Sequence, residues 1–498
     1  MNNNTNKRQA LWVGIGSLSS FTMAIVSAVI LSRFLDKESY GTYRQVLYVY
    51  STLLVVFSAG LPNVFSYFLP RFSLNEGKYI VWKITKILFL TGFLFSLILY
   101  YLADFLSIIL NNLELSPVLK LFSPIPLLML PALGIEGVFA TYKKAKFIAF
   151  YNIITRVIVL LGIVLPVIFY QRSVYSALYG WFFAALISLI IALFFKKIPF
   201  KGIKNKKAKI TYKEILLYSI PIAIASFWGV VIKSADQFYI SRFFGTEAFA
   251  VFSNGFIELP FVSMVTLAAS TVLMPLFSKM IHNKARTEDV INLWKSAILK
   301  SAIIIYPIVI FFIINATSVV VLLYSENYVE SVLFFRIAMF INFFNVILFA
   351  PLIFAFGKTK YYSNVHMVFA ILTWLFGYLV ILIFDSPIGI ALLSVFLRIL
   401  KVIVFLHFSS KILKVNIRFF FPIKKILLII THSSVIGFFV SLLSDFLLGN
   451  LNLFFNLLFN CAVYFTVLIF TGNMIKVNYI GLIASFVKGK DENQDKVF

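Results

Sequence analysis

One cysteine, four histidines and 19 acidic residues are all that this 498-residue chain offers to thiol, metal and carboxylate chemistry. The lone thiol, Cys461, excludes an intrachain disulfide and any zinc site built on paired cysteines. Four scattered histidines leave little for metal binding, and no cofactor is expected. Neither a His-Glu-x-x-His pair nor a Gly-x-Ser-x-Gly elbow is present. Gly357-Lys358-Thr359 resembles the end of a phosphate-binding loop, but Leu352 stands where the first glycine belongs and no strand precedes it. ATP hydrolysis is therefore excluded. Charge is scarce as well: Asp, Glu, Lys and Arg make up 13% of the chain, against about 25% in an average soluble domain. That inventory cannot cover a water-facing surface.

What fills the chain instead is apolar. Hydrophobic residues reach 61%, with 58 phenylalanines as bulky lipid-facing filler. They run in blocks of about 20 residues, the length needed to cross a hydrocarbon core. Fourteen such segments are placed, at 10–32, 43–69, 80–101, 115–140, 148–170, 176–195, 215–235, 248–276, 293–315, 330–356, 362–384, 387–408, 426–446 and 451–472. Backbone polar groups in lipid must be satisfied within the segment, so the expected class is an all-α integral membrane protein. Pro62, Pro126, Pro131, Pro166, Pro221, Pro260 and Pro307 fall inside these segments and predict kinks. The first block follows Lys7 and Arg8 without a small-residue cleavage site, so it reads as a retained span and not a signal peptide.

The net charge of +25 raises the question of nucleic acid. The placement of the lysines answers against it, because they gather in alternate short loops, the pattern of the positive-inside rule. If Lys7 and Arg8 are cytoplasmic, the same side holds Arg71, Lys78, Lys143, Lys144, Lys146, the run from Lys196 to Lys213 with eight lysines, Lys279, Lys284, Arg286, Lys358, Lys360 and the basic residues after Lys411. The other side has few, chiefly Arg33, Lys37, Arg172 and Arg242. Both termini are then cytoplasmic in a multi-pass protein of the cell inner membrane. The Lys196–Lys213 run reads as a linker touching anionic headgroups. It divides the chain into 1–195, a basic linker 196–214, a second set of spans 215–410 and a C-terminal region 411–498.

The two sets repeat. Ser32-Arg33-Phe34-Leu35-Asp36-Lys37-Glu38-Ser39-Tyr40-Gly41-Thr42-Tyr43 follows the first span, and Ser241-Arg242-Phe243-Phe244-Gly245-Thr246-Glu247-Ala248-Phe249-Ala250-Val251-Phe252 follows the seventh. Leu69-Pro70-Arg71-Phe72-Ser73 is echoed by Met274-Pro275-Leu276-Phe277-Ser278. Six spans per set is an even number, so the halves share orientation and are expected to be related by an axis along the membrane normal. The opening pattern, Leu61-Pro62 with Tyr67-Phe68-Leu69-Pro70-Arg71, and Lys233-Ser234-Ala235-Asp236-Gln237-Phe238-Tyr239-Ile240 resemble the polysaccharide export branch of the multidrug/oligosaccharidyl-lipid/polysaccharide exporter superfamily. These are the O-antigen, capsule and teichoic acid repeat-unit flippases. The resemblance implies two six-helix lobes in a parallel pseudo-twofold repeat around a cavity, two extra C-terminal helices and alternating access. It also implies an undecaprenyl-diphosphate-linked glycan as cargo, with polysaccharide polymerase and glycosyltransferases as candidate partners besides membrane lipids. Position 36 is Asp where position 245 is Gly, so the two turns are not expected to do the same job.

Ionisable residues deep in spans need a partner, water or a role. Arg156, Arg336, Arg398 and, at the start of a span, Arg44 form a cationic set facing few buried acids. Guanidinium is the best geometric match to phosphate oxygens, so these four are candidates for the diphosphate, with inter-helix hydrogen bonding or an interfacial position as the alternative. Lys233 and Asp236, three apart, are either a structural ion pair or a gating contact. Glu258, one turn after Asn254, is the expected buried acid, either a protonated carboxyl bonded to a neighbouring helix or a proton-linked switch. Lys120, Glu136 and His366 are read as interfacial. Two rival functions remain. A cation-coupled multidrug exporter of the same superfamily would favour cavity acids, and a membrane polysaccharide polymerase or ligase would need a long outward loop.

Overall fold

The computed structural model describes residues 3–448, 452–475, 477, 479 and 481. Every regular element among them is helical, and thirteen helical runs are long and apolar enough to cross a membrane. The chain is an all-helical, multi-pass membrane protein, as its apolar blocks require. The segment expected at 10–32 lies in the first helix, whose apolar part is recorded as Ser19–Phe34.

By packing, the chain divides into two compact units, Met1–Val251 and Phe252–Phe498. The first contains α1 (Asn3–Phe34), α2 (Lys37–Ser58), α3 (Leu61–Phe68), α4 (Leu74–Ile109), α5 (Leu115–Phe122), α6 (Ile125–Met129), α7 (Ile135–Thr141), α8 (Ala145–Phe169), α9 (Val174–Lys197) and most of α10 (Tyr212–Gly255). Helix starts follow local chemistry. The Asp36 side chain caps α2 by accepting from Ser39 N at 2.8 Å, and Ser73 with Glu76 forms a capping box before α4. Partial burial works to raise the Asp36 carboxyl, but the hydrogen bonds from Ser39 outweigh it and hold the group below its ordinary value. Gly245 breaks α10 at φ 82° and ψ −176°, a conformation open essentially to glycine alone. Asp36 at the equivalent turn is ordinary extended backbone, so the two turns differ as their residues suggest.

α1 packs along α8, and α8 along α9. At the α8–α9 crossing, a Cβ on Gly180 would lie 1.7 Å from the Gly162 carbonyl oxygen, so the backbones touch there. A buried cluster of Leu61, Val64, Phe65, Ile80, Val81 and Ile84 extends to Phe200, Ala208 and Ile210. All three of these belong to the basic linker. It is not merely a solvated tether: Lys206 N donates to Asn75 O at 3.2 Å, Lys78 Nζ to Ile203 O at 2.8 Å and Lys83 Nζ to Ile210 O. Lys204, Lys206, Lys207 and Lys209 stay exposed while Ala208 and Ile210 anchor the strap.

The second unit holds α11 (Pro260–His282), α12 (Thr287–Ile314), α13 (Ala316–Tyr324), α14 (Ser331–Phe340), α15 (Asn342–Asn345), α16 (Phe349–Ala355), α17 (Thr359–Phe384), α18 (Pro387–Leu413), α19 (Ile417–Phe420), α20 (Ile423–Leu448) and α21 (Leu453–Gly472). α12 is its hub, packed on α20. α21 is pinned to the same region by Tyr464 OH donating to Pro307 O at 2.9 Å and by Asn460 Nδ2 donating to Asn315 Oδ1 at 2.9 Å.

Four segments expected as single spans are interrupted. The breaks fall at Ala59–Gly60, at Ser123–Pro124 and Leu130–Gly134 within one segment, at Phe256–Leu259 and at Val346–Leu348. Pro62, Pro126 and Pro260 each sit in the first turn of the helix that resumes, where a missing N–H is harmless, and Pro131 lies in a 3-10 turn. Pro166, Pro221 and Pro307 lie within continuous helices. Carbonyls freed by breaks find side-chain donors: Lys196 Nζ reaches Pro131 O at 2.7 Å, and Trp294 Nε1 reaches Leu348 O at 2.8 Å.

Candidate functional site

In the second unit the candidate residues gather at a helix break. Arg398 lies on α18, and its Nη1 stands 3.4 Å from Glu258 Oε1. The Arg398 side chain is 15% exposed and that of Glu258 51%. Glu258 is therefore not the buried acid expected on a continuous span. Phe256–Leu259 leaves the helical ladder before Pro260 starts α11, and this turns the carboxylate out. Phe256 in the same break offers its ring to the guanidinium, 5.6 Å from centroid to Cζ. Asn254 is fully buried at the end of α10, where a Cβ on Gly255 would lie 2.3 Å from Ser331 O at the start of α14. Arg336 projects from α14 and is exposed, with no hydrogen bond or ion pair among the described residues.

In the first unit Arg156 is exposed on α8, within electrostatic reach of the Tyr50 and Tyr151 hydroxyls. Among the described residues it too makes no hydrogen bond or ion pair. Tyr50 belongs to an aromatic group on four helices, with ring centroids 5.8 Å from Phe95, 5.3 Å from Phe122 and 6.4 Å from Trp181. One turn from Arg156, Asn152 donates to Glu136 Oε1 at 3.0 Å, and Glu136 itself is exposed. Lys120 likewise pairs with Asp104, at 2.8 Å to each oxygen.

Arg44 is half-buried near the start of α2, beside a buried polar network that sequence reading missed. Gln45 Nε2 donates to Ser241 Oγ at 2.7 Å. Asn112 Nδ2 donates to Thr42 Oγ1 at 2.8 Å and to Gln45 Oε1 at 2.6 Å. Tyr48 OH donates to Ser234 O at 3.2 Å, and Arg242 Nη1 to Ile108 O at 2.6 Å. These bonds lace the first turns of α2 to the far ends of α4 and α10. Asp236, on the same stretch of α10, is buried at 3% exposure, whereas Lys233 is exposed. The signal that could have found the network is the repeat itself, since Ser241 and Thr42 both lie in its two copies.

His366 is half-buried on α17, its Nδ1 3.0 Å from Tyr362 O. Between α20 and α21 a cavity of about 300 Å³ is lined by Leu428, Thr431, His432, Val435, Ile436, Thr471 and Ile475. No group of three or more His, Cys, Asp or Glu that could hold a metal ion occurs among the described residues.

Known proteins can now be set beside this geometry. The sequence model of one family, described as polysaccharide biosynthesis protein, matches residues 30–333, more than half of the chain, and ends before Arg336 and Arg398. Comparison with curated protein sequences gives no match. The fold is similar to the lipid II flippase MurJ in an inward closed conformation, with a TM-score of 0.69 at 17% identity over 94% of this chain and 100% of that one. It is also similar to an inward-facing multidrug resistance MATE family transporter of the MOP superfamily, with a TM-score of 0.62 at 12% identity over 79% and 94%. A third similar structure is a MOP superfamily transporter from Pyrococcus furiosus described by the reverse polarity of its binding pocket, with a TM-score of 0.58 at 12% identity over 82% and 96%. At these identities the likeness establishes a shared fold.

Proposed function

We propose that this chain, which belongs to the polysaccharide biosynthesis protein family, is a flippase for undecaprenyl-diphosphate-linked oligosaccharide repeat units. The observation that carries the reading is the sign of the charge inside the apolar helices. Arg156 and Arg336 are exposed there without hydrogen-bond or ion-pair partners among the described residues, and Arg398 pairs with the half-exposed carboxylate of Glu258. A guanidinium in low dielectric stays charged and calls for a counter-ion. Phosphate oxygens supply one, with a fork geometry that matches it.

In this mechanism no covalent bond changes. The glycan headgroup enters a wet cavity from the cytoplasmic side, the side on which the lysine-rich loops place both termini. Arginines pair with the diphosphate and the polyprenyl tail remains in lipid. The chain then exposes the headgroup to the opposite face, and the direction of net flux follows from a gradient or from downstream consumption. The similarity of this fold to the lipid II flippase supports a lipid-linked cargo.

The test is to replace Arg398 and Arg156 with Ala and score surface glycan at matched protein level. Loss of glycan is expected. Unchanged glycan overturns the cationic cargo site. A second reading, cation-coupled drug export, is favoured by the buried Asp236 and by the fold's likeness to the multidrug transporter. Under that reading the same variants leave glycan intact, while Asp236→Asn sensitises cells to cationic drugs.

A further inference from the structure

We propose that the strap 201–211 and the turn at Lys143 and Lys144 form a docking surface for the anionic phospholipid headgroups of the adjoining leaflet, which in turn keep the strap closed on α4. All of these residues lie in the first unit, and the surface serves whatever cargo the protein carries. The strap runs from the end of α9 to the start of α10 and is bonded to the opening turns of α4. All three helices are candidate spans. α4 has 36 residues, about 54 Å of helix against a hydrocarbon core of roughly 30 Å, so it overruns the core. The strap is folded on such an overhang, at headgroup depth. Aromatic rings mark the same level: Tyr212 is exposed with Lys83 Nζ 4.3 Å from its ring centre, and Lys197 Nζ stands 5.9 Å from that of Trp82. The turn at Lys143 and Lys144 belongs to the same end, since the neighbouring Tyr142 meets Phe200 at 5.4 Å between ring centroids.

Five lysines and no acid stand in 201–211. Burial alternates along its last part: Lys207 and Lys209 are exposed, while Ala208 and Ile210 are buried. The apolar pair locks into the cluster around Ile80 and Ile84 and so aims the lysines beside it outward. Closure itself rests on cations, because Lys78 and Lys83 donate to the strap carbonyls of Ile203 and Ile210. Two more ammoniums are thereby drawn in beside the five. The acids at its borders are engaged in capping, Glu76 accepting from Ser73 N at 3.2 Å and Glu214 from Thr211 N at 2.7 Å. Like charge at this density opposes closure. A leaflet of anionic headgroups within a Debye length relieves it, lysine by lysine. The chemistry favours lipid over a single polyanion. Ammoniums are point charges on mobile stems, and here they are spread along an extended strap, which fits a layer of separate, laterally mobile phosphates. As a loose tether the run would meet headgroups only by chance; folded on α4 it presents them with a fixed row.

The test places the purified full chain in nanodiscs of phosphatidylcholine alone or of an equimolar mixture with phosphatidylglycerol, and follows amide hydrogen exchange over 200–211. The amides of Ile203 and Lys206, which donate to Phe200 O at 3.1 Å and to Asn75 O at 3.2 Å, report closure. Exchange there is expected to slow at least about threefold in the anionic membrane, with the difference shrinking in high salt. The quadruple variant Lys204→Gln, Lys206→Gln, Lys207→Gln and Lys209→Gln is expected to abolish the difference. The corresponding quadruple Arg variant keeps the charge and is expected to keep the difference. Native exchange in α8 and α9 shows that each variant is folded. Equal exchange of the native strap in the two membranes overturns the proposal, as does a quadruple Gln variant that retains the native difference. Exchange that is equal in both membranes and slows only when cytosolic protein is added assigns the face to an acidic protein and overturns lipid docking.

Discussion

Lys196 shows what a cation inside the protein looks like when it serves the fold. Its side chain is fully buried, with Nζ 2.7 Å from Pro131 O, 3.2 Å from Thr85 Oγ1 and 5.0 Å above the Phe65 ring. The carbonyl it serves lies in the break between α6 and α7, where no backbone N–H donates to it among the described residues. Lys196→Met keeps the stem and removes the donor. The freed carbonyl costs about 1–3 kcal/mol, and relief of burying an ammonium offsets part of that, so a net loss of about 1 kcal/mol is expected. Thermal unfolding in detergent reads it, and an unchanged or raised midpoint would contradict the assignment. Arg156 and Arg336 are the opposite kind of residue, exposed and unbonded among the described residues. In sequence both kinds are simply basic residues within or beside an apolar run. Charge alone did not separate Lys196, placed with the linker, from the arginines placed in the cavity.

At the scale of elements, the long spans were legible and their interruptions were not. A hydropathy pattern counts apolar residues, and lipid and protein interior ask for the same ones, so helical periodicity carries little about which face is buried. The prolines marked the right neighbourhoods: Pro62, Pro126, Pro131 and Pro260 all lie at or just after breaks. They did not tell a break from a kink, since Pro166, Pro221 and Pro307 lie in continuous helices. Glu258 was misread for this reason, because a continuous span would have buried it. The repeat was legible as sequence, and it marks a close packing of the two turns. A Cβ on Gly41 would lie 2.2 Å from the Thr246 carbonyl oxygen, beside the Gln45–Ser241–Asn112 network. Gly41→Ala must push the turn at 245–246 away and leave those buried amides poorly paired. A loss of about 2–4 kcal/mol is expected, from a backbone clash plus at least one unsatisfied polar group. Gly229→Ala, where a Cβ meets nothing within 4 Å, is the matched control. Equal melting midpoints for the two variants would show that the turns are not in contact.

At the scale of the whole molecule, composition and block length were enough for an all-helical membrane protein, and the motif around Ser32–Tyr43 led to the family. The proposed substrate is a different matter, because the proposal rests on a few guanidiniums whose company the sequence does not display. Gln45 and Asn112 are ordinary polar residues until the fold brings them together, 67 positions apart. The division of the chain into Met1–Val251 and Phe252–Phe498 places Arg44 and Arg156 in one unit and Arg336 and Arg398 in the other.

The central claim is that this protein carries a diphosphate-linked glycan through the bilayer on arginine. Its most direct test is a flipping assay in liposomes holding the purified chain and an undecaprenyl-diphosphate-linked oligosaccharide, with glycan on the outer leaflet read by a membrane-impermeant lectin. The account predicts that the native chain raises the accessible fraction of glycan well beyond that of protein-free vesicles, and that Arg398→Ala removes most of the gain. A native chain no faster than empty vesicles, or an Arg398→Ala chain as fast as the native one, would contradict it.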